Sequence, residues 1–106
     1  MTIEPRTGTG LPAMHPGELL REDILPALGR PRIEIAHLLR ISRQALHAVL
    51  TERASVTPEM ALRIEKAFGP DMDHLLRMQL AYDVAKTREH ARDISIKRYA
   101  SAGTVC

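Results

Sequence analysis

A chain of 106 residues with 44% apolar content is long enough for one hydrophobic core and too short for two. With no Trp, one Phe and two Tyr, that core has to be built from Leu, Ile, Val and Met, and the single Cys, Cys106, excludes an intrachain disulfide or a multi-thiolate metal site. No run approaches the roughly 20 apolar residues of a membrane span, no charged-then-apolar signal opens the chain, and the protein is read as cytoplasmic. The net charge of +2 is modest but unevenly placed: residues 30–53 carry +3 and residues 86–98 another +3, whereas residues 1–29 and 54–85 carry −2 each.

Residues 1–14 are rich in Thr, Gly and Pro without periodicity, and are expected to form a flexible leader. Pro16 stands where a first-turn proline belongs, and Leu20, Ile24 and Leu28 follow in i+4 steps, which predicts a first helix ended by Gly29. Pro26 cannot bond to the Glu22 carbonyl, so the last turn of that helix should be irregular. Pro31 opens a second helix, in which Ile35, Leu38 and Leu39 share a face and Ala36 is small enough to admit a neighbouring backbone. After a tight turn at Arg40 and Ile41, Ser42 can cap a third helix whose apolar face is Leu46, Val49 and Leu50.

Thr57-Pro58-Glu59 combines a capping hydroxyl, a first-turn proline and an acid at the positive end of the dipole, and so starts a fourth helix. Its expected buried side is Ala61, Leu62, Ile64 and Phe68, and Gly69-Pro70 stops it. Asp71 or Asp73 can cap a fifth helix running to about His90. Met72, Leu75, Leu76, Met78, Leu80, Tyr82 and Val84 spread around far more than the ~100° of one buried stripe. One face can cover the core, and the surplus predicts a homodimer joined through Leu76, Leu80, Tyr82 and Val84. Residues 91–106 lose the helical period and are expected to form a flexible tail, although Ile94 and Ile96 alternate as in a strand. The expected fold class is therefore all-α: a five-helix domain over residues 15–90.

The outside of the third helix carries Arg43, Gln44, His47, Ala48 and Thr51, with no acid. Arg can fork onto guanine O6 and N7, Gln can pair with adenine N6 and N7, and Ala leaves room for a thymine methyl. A helix so dressed suits the DNA major groove, and Arg43, Gln44, His47 and Ala48 are the candidate base readers. Helix, tight turn, helix is the order of a helix-turn-helix, in which the second helix enters the groove. Arg40, in the turn, and Arg53, past the third helix, are candidates for phosphate.

Residues 33–53 resemble the xenobiotic-response-element type of helix-turn-helix found in phage repressors. That resemblance implies base contacts at Arg43, Gln44, His47 and Ala48, and phosphate contacts at Arg32, Ser42 and Thr51. The family usually has Gly or Asn where this chain has Arg40. The likeness extends further, through MHPGELLREDILPALG before the motif and HLLRMQLAYDVAKTR after it, and these flanks resemble a HigA-type antitoxin of a bacterial toxin-antitoxin module. There the family often has Trp in place of Leu75. The resemblance implies a dimer that binds double-stranded operator DNA, represses its own operon and silences a partner toxin, a small mRNA endonuclease. A stand-alone repressor without a toxin is the alternative, and a protein-interaction module that has kept the fold without binding DNA is a third reading.

Enzyme chemistry finds no foothold. The chain has no phosphate-cradling glycine loop, no His-Glu-x-x-His and no nucleophile elbow. His15, His37, His47, His74 and His90 include no pair at the spacing of helical metal ligands, so neither a metal nor a cofactor is expected.

Overall fold

The computed structural model describes residues 13–99. Most of the expected leader, the end of the expected tail and Cys106 lie outside the described residues. Helix α1 covers residues 16–28 in three parts: an α-helical turn at Pro16–Leu19, a wide π-turn at Leu20–Ile24 and a final α-helical turn at Leu25–Leu28. It is followed by α2 (Arg32–Leu39), α3 (Arg43–Leu50), α4 (Pro58–Phe68) and α5 (Met72–Glu89). Among the described residues the regular structure is all helical, and a 3-10 turn at Ala91–Asp93 extends it into the expected tail.

The irregularity in α1 lies one turn earlier than the proline alone suggests. Pro26 has no N–H and its ring crowds the carbonyl four residues back. A π-turn relieves this by letting the Leu25 N–H reach the Leu20 carbonyl, five residues back. The extra residue in that turn moves the apolar register. Leu20 and Leu25 are buried, Ile24 is half-buried against the core, and Leu28 is left exposed. Gly29 then ends the helix at φ 65°, as expected.

Around Leu20 and Leu25 the core gathers Ile35, Ala36 and Leu39 from α2, Leu46, Val49 and Leu50 from α3, Ala61 and Ile64 from α4, and Leu75 from α5. Val56 joins it from a segment whose sequence reads only as a loop. Besides Leu28, two apolar residues expected inside face outward: Leu38 is 51% exposed and Leu62 38%. Each lies on the rim of a helix whose buried stripe is narrower than its apolar content, because short helices of a small domain meet the core along one line.

Capping follows the sequence at two of three starts. Ser42 Oγ accepts from the Ala45 N–H at 3.0 Å and Thr57 Oγ1 from the Met60 N–H at 3.1 Å. At α5 the expectation fails: Asp71 is the N-cap residue but makes no side-chain cap, and Glu65 of α4 accepts the Met72 N–H at 2.9 Å instead. Pro31 likewise sits at the N-cap of α2, one place before the first-turn position predicted for it.

Candidate nucleic-acid interface

Helices α2 and α3 are joined by Arg40, which adopts the left-handed conformation at φ 60° and ψ 45°. For an L-residue with a Cβ this costs on the order of 1 kcal/mol. The turn is nevertheless fully bonded. The Arg40 N–H donates to the His37 carbonyl at 3.0 Å and the Ile41 N–H to the Ala36 carbonyl at 3.0 Å, closing α2 in the manner of a Schellman cap. Ser42 then starts α3, with Leu46, Val49 and Leu50 buried on one side.

Bordering that side lies an open cleft of about 520 Å³, lined by Arg32 of α2, Arg43, Gln44, Leu46 and His47 of α3, and Arg53 beyond α3. Three base-reading candidates and two phosphate candidates are thus brought to one surface, on which three guanidinium groups gather with no carboxylate among the lining residues. Arg32, Arg43, Gln44, His47 and Arg53 are all exposed. Among the described residues, the side chains of Arg32, Arg43, Gln44 and His47 make no hydrogen bond or ion pair.

The remaining candidates are placed differently. Ala48 is half-buried and Arg40 is exposed, and neither lines the cleft. Ser42 uses an oxygen lone pair on its own helix and keeps its proton for an outside acceptor. Thr51 does the reverse: its hydroxyl donates to the His47 carbonyl at 2.8 Å, and Oγ1 accepts from Arg53 Nε at 3.4 Å. Its proton is therefore committed, and the phosphate contact expected of Thr51 would need that bond to break. On α5, Leu80 is 63% and Val84 42% exposed. Leu76 is half-buried against the core, and Tyr82 lies edge-on to the His15 ring with centroids 4.8 Å apart.

Three side chains that brace the motif, Arg21, Glu52 and Arg63, were not singled out from the sequence, and a fourth, Gln79, enters there only within the last flank that carries the resemblance. Glu52, just past α3, is the second non-glycine residue in the left-handed region, at φ 65°. Arg21 reaches across from α1, donating from Nη1 to the Leu50 carbonyl at 2.6 Å and to Glu52 Oε2 at 3.3 Å. Arg63 of α4 donates from Nη1 to the Leu39 carbonyl at 2.9 Å and the Arg40 carbonyl at 3.4 Å. Gln79, only 6% exposed, accepts the Val56 N–H at 2.7 Å and donates to Asp83 Oδ1 at 2.9 Å, tying the segment after α3 to α5. The sequence marks Gln79 and Asp83 as part of the flank Met78-Gln79 and Tyr82-Asp83 that carries the resemblance, without a role for either.

These contacts also explain why the two flanks accompany the motif. His15 caps α1 through Nδ1, which accepts the Gly17 N–H at 2.8 Å, and Gly17 lies so close to the Val49 carbonyl oxygen that a Cβ there would overlap it. The His15 ring is 2% exposed and packs on Tyr82. Burial lowers its pKa from the ordinary 6.5, against the opposing pull of the Glu52 and Asp83 carboxylates and a hydrogen bond with the Ala54 backbone. The first flank, the far end of α3 and the last helix therefore meet at one point.

A helix-turn-helix braced in this way by α1, α4 and α5, with a basic cleft on the outer face of its second helix, defines the phage-repressor class of helix-turn-helix proteins. No protein-family model matches the chain. It is 35% identical over 86 residues to virulence-associated protein I of Dichelobacter nodosus, covering 81% of this chain and 80% of that one. Among solved structures, antitoxin GraA superposes with a TM-score of 0.75 at 29% identity, covering 85% of this chain and 100% of that one. An addiction module antidote protein of the HigA family from Coxiella burnetii gives a TM-score of 0.67 at 28% identity, covering 84% and 100%. The Pseudomonas aeruginosa antitoxin HigA with higBA promoter shares the fold, with a TM-score of 0.68 at 22% identity over 78% and 96% of the two chains. The chain belongs to the HigA-type antitoxin family of helix-turn-helix proteins.

Proposed function

We propose that the protein is a sequence-specific DNA-binding antitoxin that represses its own operon and neutralises a partner mRNA-endonuclease toxin. The observation that carries the DNA-binding half is the cleft of Arg32, Arg43, Gln44, His47 and Arg53, whose basic and amide groups lie exposed on the outer face of α3. Arg43 and Gln44 directly follow the Ser42 cap, so they occupy the first turn of α3, the part of a recognition helix that reaches base edges. In this reading His47 and Ala48 read bases one turn further along, while Arg32, Arg40, Ser42 and Arg53 meet phosphate, joined by Thr51 once its bond to the His47 carbonyl opens. The same fold carries promoter DNA in the Pseudomonas aeruginosa protein.

The toxin-binding half is supported by kinship with GraA and the Coxiella burnetii antidote protein. The protein acts by binding rather than by catalysis, as a homodimer in the cytoplasm without a cofactor. Among the described residues no helix is long and apolar enough to cross a membrane.

The test is co-expression with any toxin-sized reading frame found next to the gene, followed by purification and titration onto the DNA upstream of the coding sequence. The expected result is a co-purifying small partner and binding to that DNA at least ~10³-fold tighter than to a scrambled fragment. Tight promoter binding with no partner would leave a stand-alone repressor. A partner without promoter preference would leave an interaction module.

A further inference from the structure

The recognition helix is only eight residues long, and the elements on either side of it turn through left-handed residues that carry side chains, Arg40 before it and Glu52 after it. Each of these turns is held by an arginine from outside the motif. Arg63 of α4 lies at the near turn and Arg21 of α1 at the far one. The two ends are not equivalent for reading DNA, since Arg43 and Gln44 stand at the near end. We propose that Arg63 is a positioning residue for sequence readout: it fixes the turn from which α3 starts and so aims Arg43 and Gln44 at the bases. This rests on the DNA-reading function proposed above.

The last carbonyls of a helix have no partner within it, and the negative end of the dipole faces the same way. In α2 these include the Leu39 carbonyl, and the following Arg40 carbonyl belongs to the turn itself. Arg63 Nη1 lies at 2.9 Å from the first and 3.4 Å from the second. The guanidinium is oriented by Glu59 on its own helix, whose Oε2 accepts from Nη2 at 2.8 Å and from Nε at 3.3 Å. An ion pair this exposed adds little stability in itself. Its effect is to present one edge of a planar fork to the turn, which a lysine cannot reproduce. Between the held Arg40 carbonyl and Arg43 lie only Ile41 and Ser42, so any change in the turn is passed to the reading residues with little chain to absorb it. Bidentate base contacts depend on placement to within about half an ångström, so loosening the turn should erode discrimination before it erodes attraction to phosphate.

Arg21 provides the comparison. It makes the same kind of contact at the end of α3 away from Arg43 and Gln44, so its loss should loosen the fold without turning the reading end. The experiment measures, by fluorescence anisotropy at fixed salt, binding of the full chain to its own upstream DNA and to a scrambled duplex of equal length. Wild type, R63A, R63K, E59Q and R21A are compared, each with its thermal midpoint. R63A is expected to lose roughly tenfold in the promoter-to-scrambled affinity ratio, with scrambled binding changed less than about twofold. R63K and E59Q should fall between it and wild type, and R21A should keep the wild-type ratio although its midpoint drops. Folded R63A with an undiminished ratio overturns the proposal, as does R21A losing the ratio equally. Should R63A not fold, R63K and E59Q decide it: both must lose ratio while folded, and a wild-type ratio in either overturns it. A wild-type chain with no promoter preference overturns the DNA-reading function itself, and this proposal with it.

Discussion

At the scale of single residues, the proposed function divides the cleft into groups that select a sequence and groups that attract any DNA. On that proposal Arg43→Ala or Gln44→Ala removes a base contact, while Leu46, Val49 and Leu50 of the same helix stay buried. Each should cost roughly 10- to 100-fold on promoter DNA, from the 1–3 kcal/mol of a good bidentate contact, with non-specific binding and thermal midpoint much less affected. Arg32→Ala should instead weaken all sequences alike and reduce the slope of log affinity against log salt by about one, because a phosphate contact acts through counterion release. Anisotropy titrations across a salt series measure both. His15 adds a pH dependence to stability. In the unfolded chain it takes its proton near 6.5, and in the folded protein burial lowers that pKa. Above 6.5 both states are neutral and the contribution of the capped ring is complete; as pH falls below 6.5 the unfolded state binds the proton first and stability is lost. Urea midpoints should therefore fall from about pH 7 to about pH 5, and His15→Asn, which keeps a capping acceptor but does not titrate there, should flatten that part of the curve.

Among the elements, what the sequence disclosed was whatever local chemistry decides. Ser42 and Thr57 cap where their hydroxyls said, Gly29 and Gly69 end helices, and Arg43, Gln44 and His47 stay exposed while Leu46, Val49 and Leu50 are buried. The misjudged features depend on partners distant in sequence. Asp71 lost its capping role to Glu65, Leu38 and Leu62 faced solvent, and the π-turn carried the α1 stripe from Leu28 to Leu25. Arg21 and Arg63 carry no local signal, because the carbonyls they reach lie 29 and 24 residues away. The point where α1 crosses the far end of α3 is the most exacting of these contacts. Gly17 has a normal helical place, yet any Cβ would overlap the Val49 carbonyl oxygen, and a backbone atom cannot swing aside. Gly17→Ala, which would favour an isolated helix, should here lower stability by about 1–3 kcal/mol, read from the urea midpoint.

For the whole molecule, the question is what covers the outer face of α5. A lone domain this small leaves Leu80 63% and Val84 42% exposed one turn apart, next to a cleft of about 460 Å³ lined by Asp83, Val84, Thr87, Arg88, Ala91 and Ile94. Leu76 and Tyr82 are already partly used, the first against the core and the second against His15, so a dimer seam would rest chiefly on Leu80 and Val84. A seam along one helix face pairs the same patch on both copies about a two-fold axis, which sets the two α3 helices to read an inverted repeat. Half-sites should then lie about one turn, roughly 34 Å, apart. Placing a carboxylate at both positions, L80D with V84D, touches no buried residue and should leave the thermal midpoint of the domain close to that of the monomeric unit. It should abolish the dimer by light scattering at micromolar concentration and reduce affinity for the full repeat towards that for a single half-site, while half-site binding is unchanged. A wild-type chain that scatters as a monomer, or a double variant that binds the full repeat undiminished, would remove α5 from the interface and require the two reading heads to be coupled elsewhere.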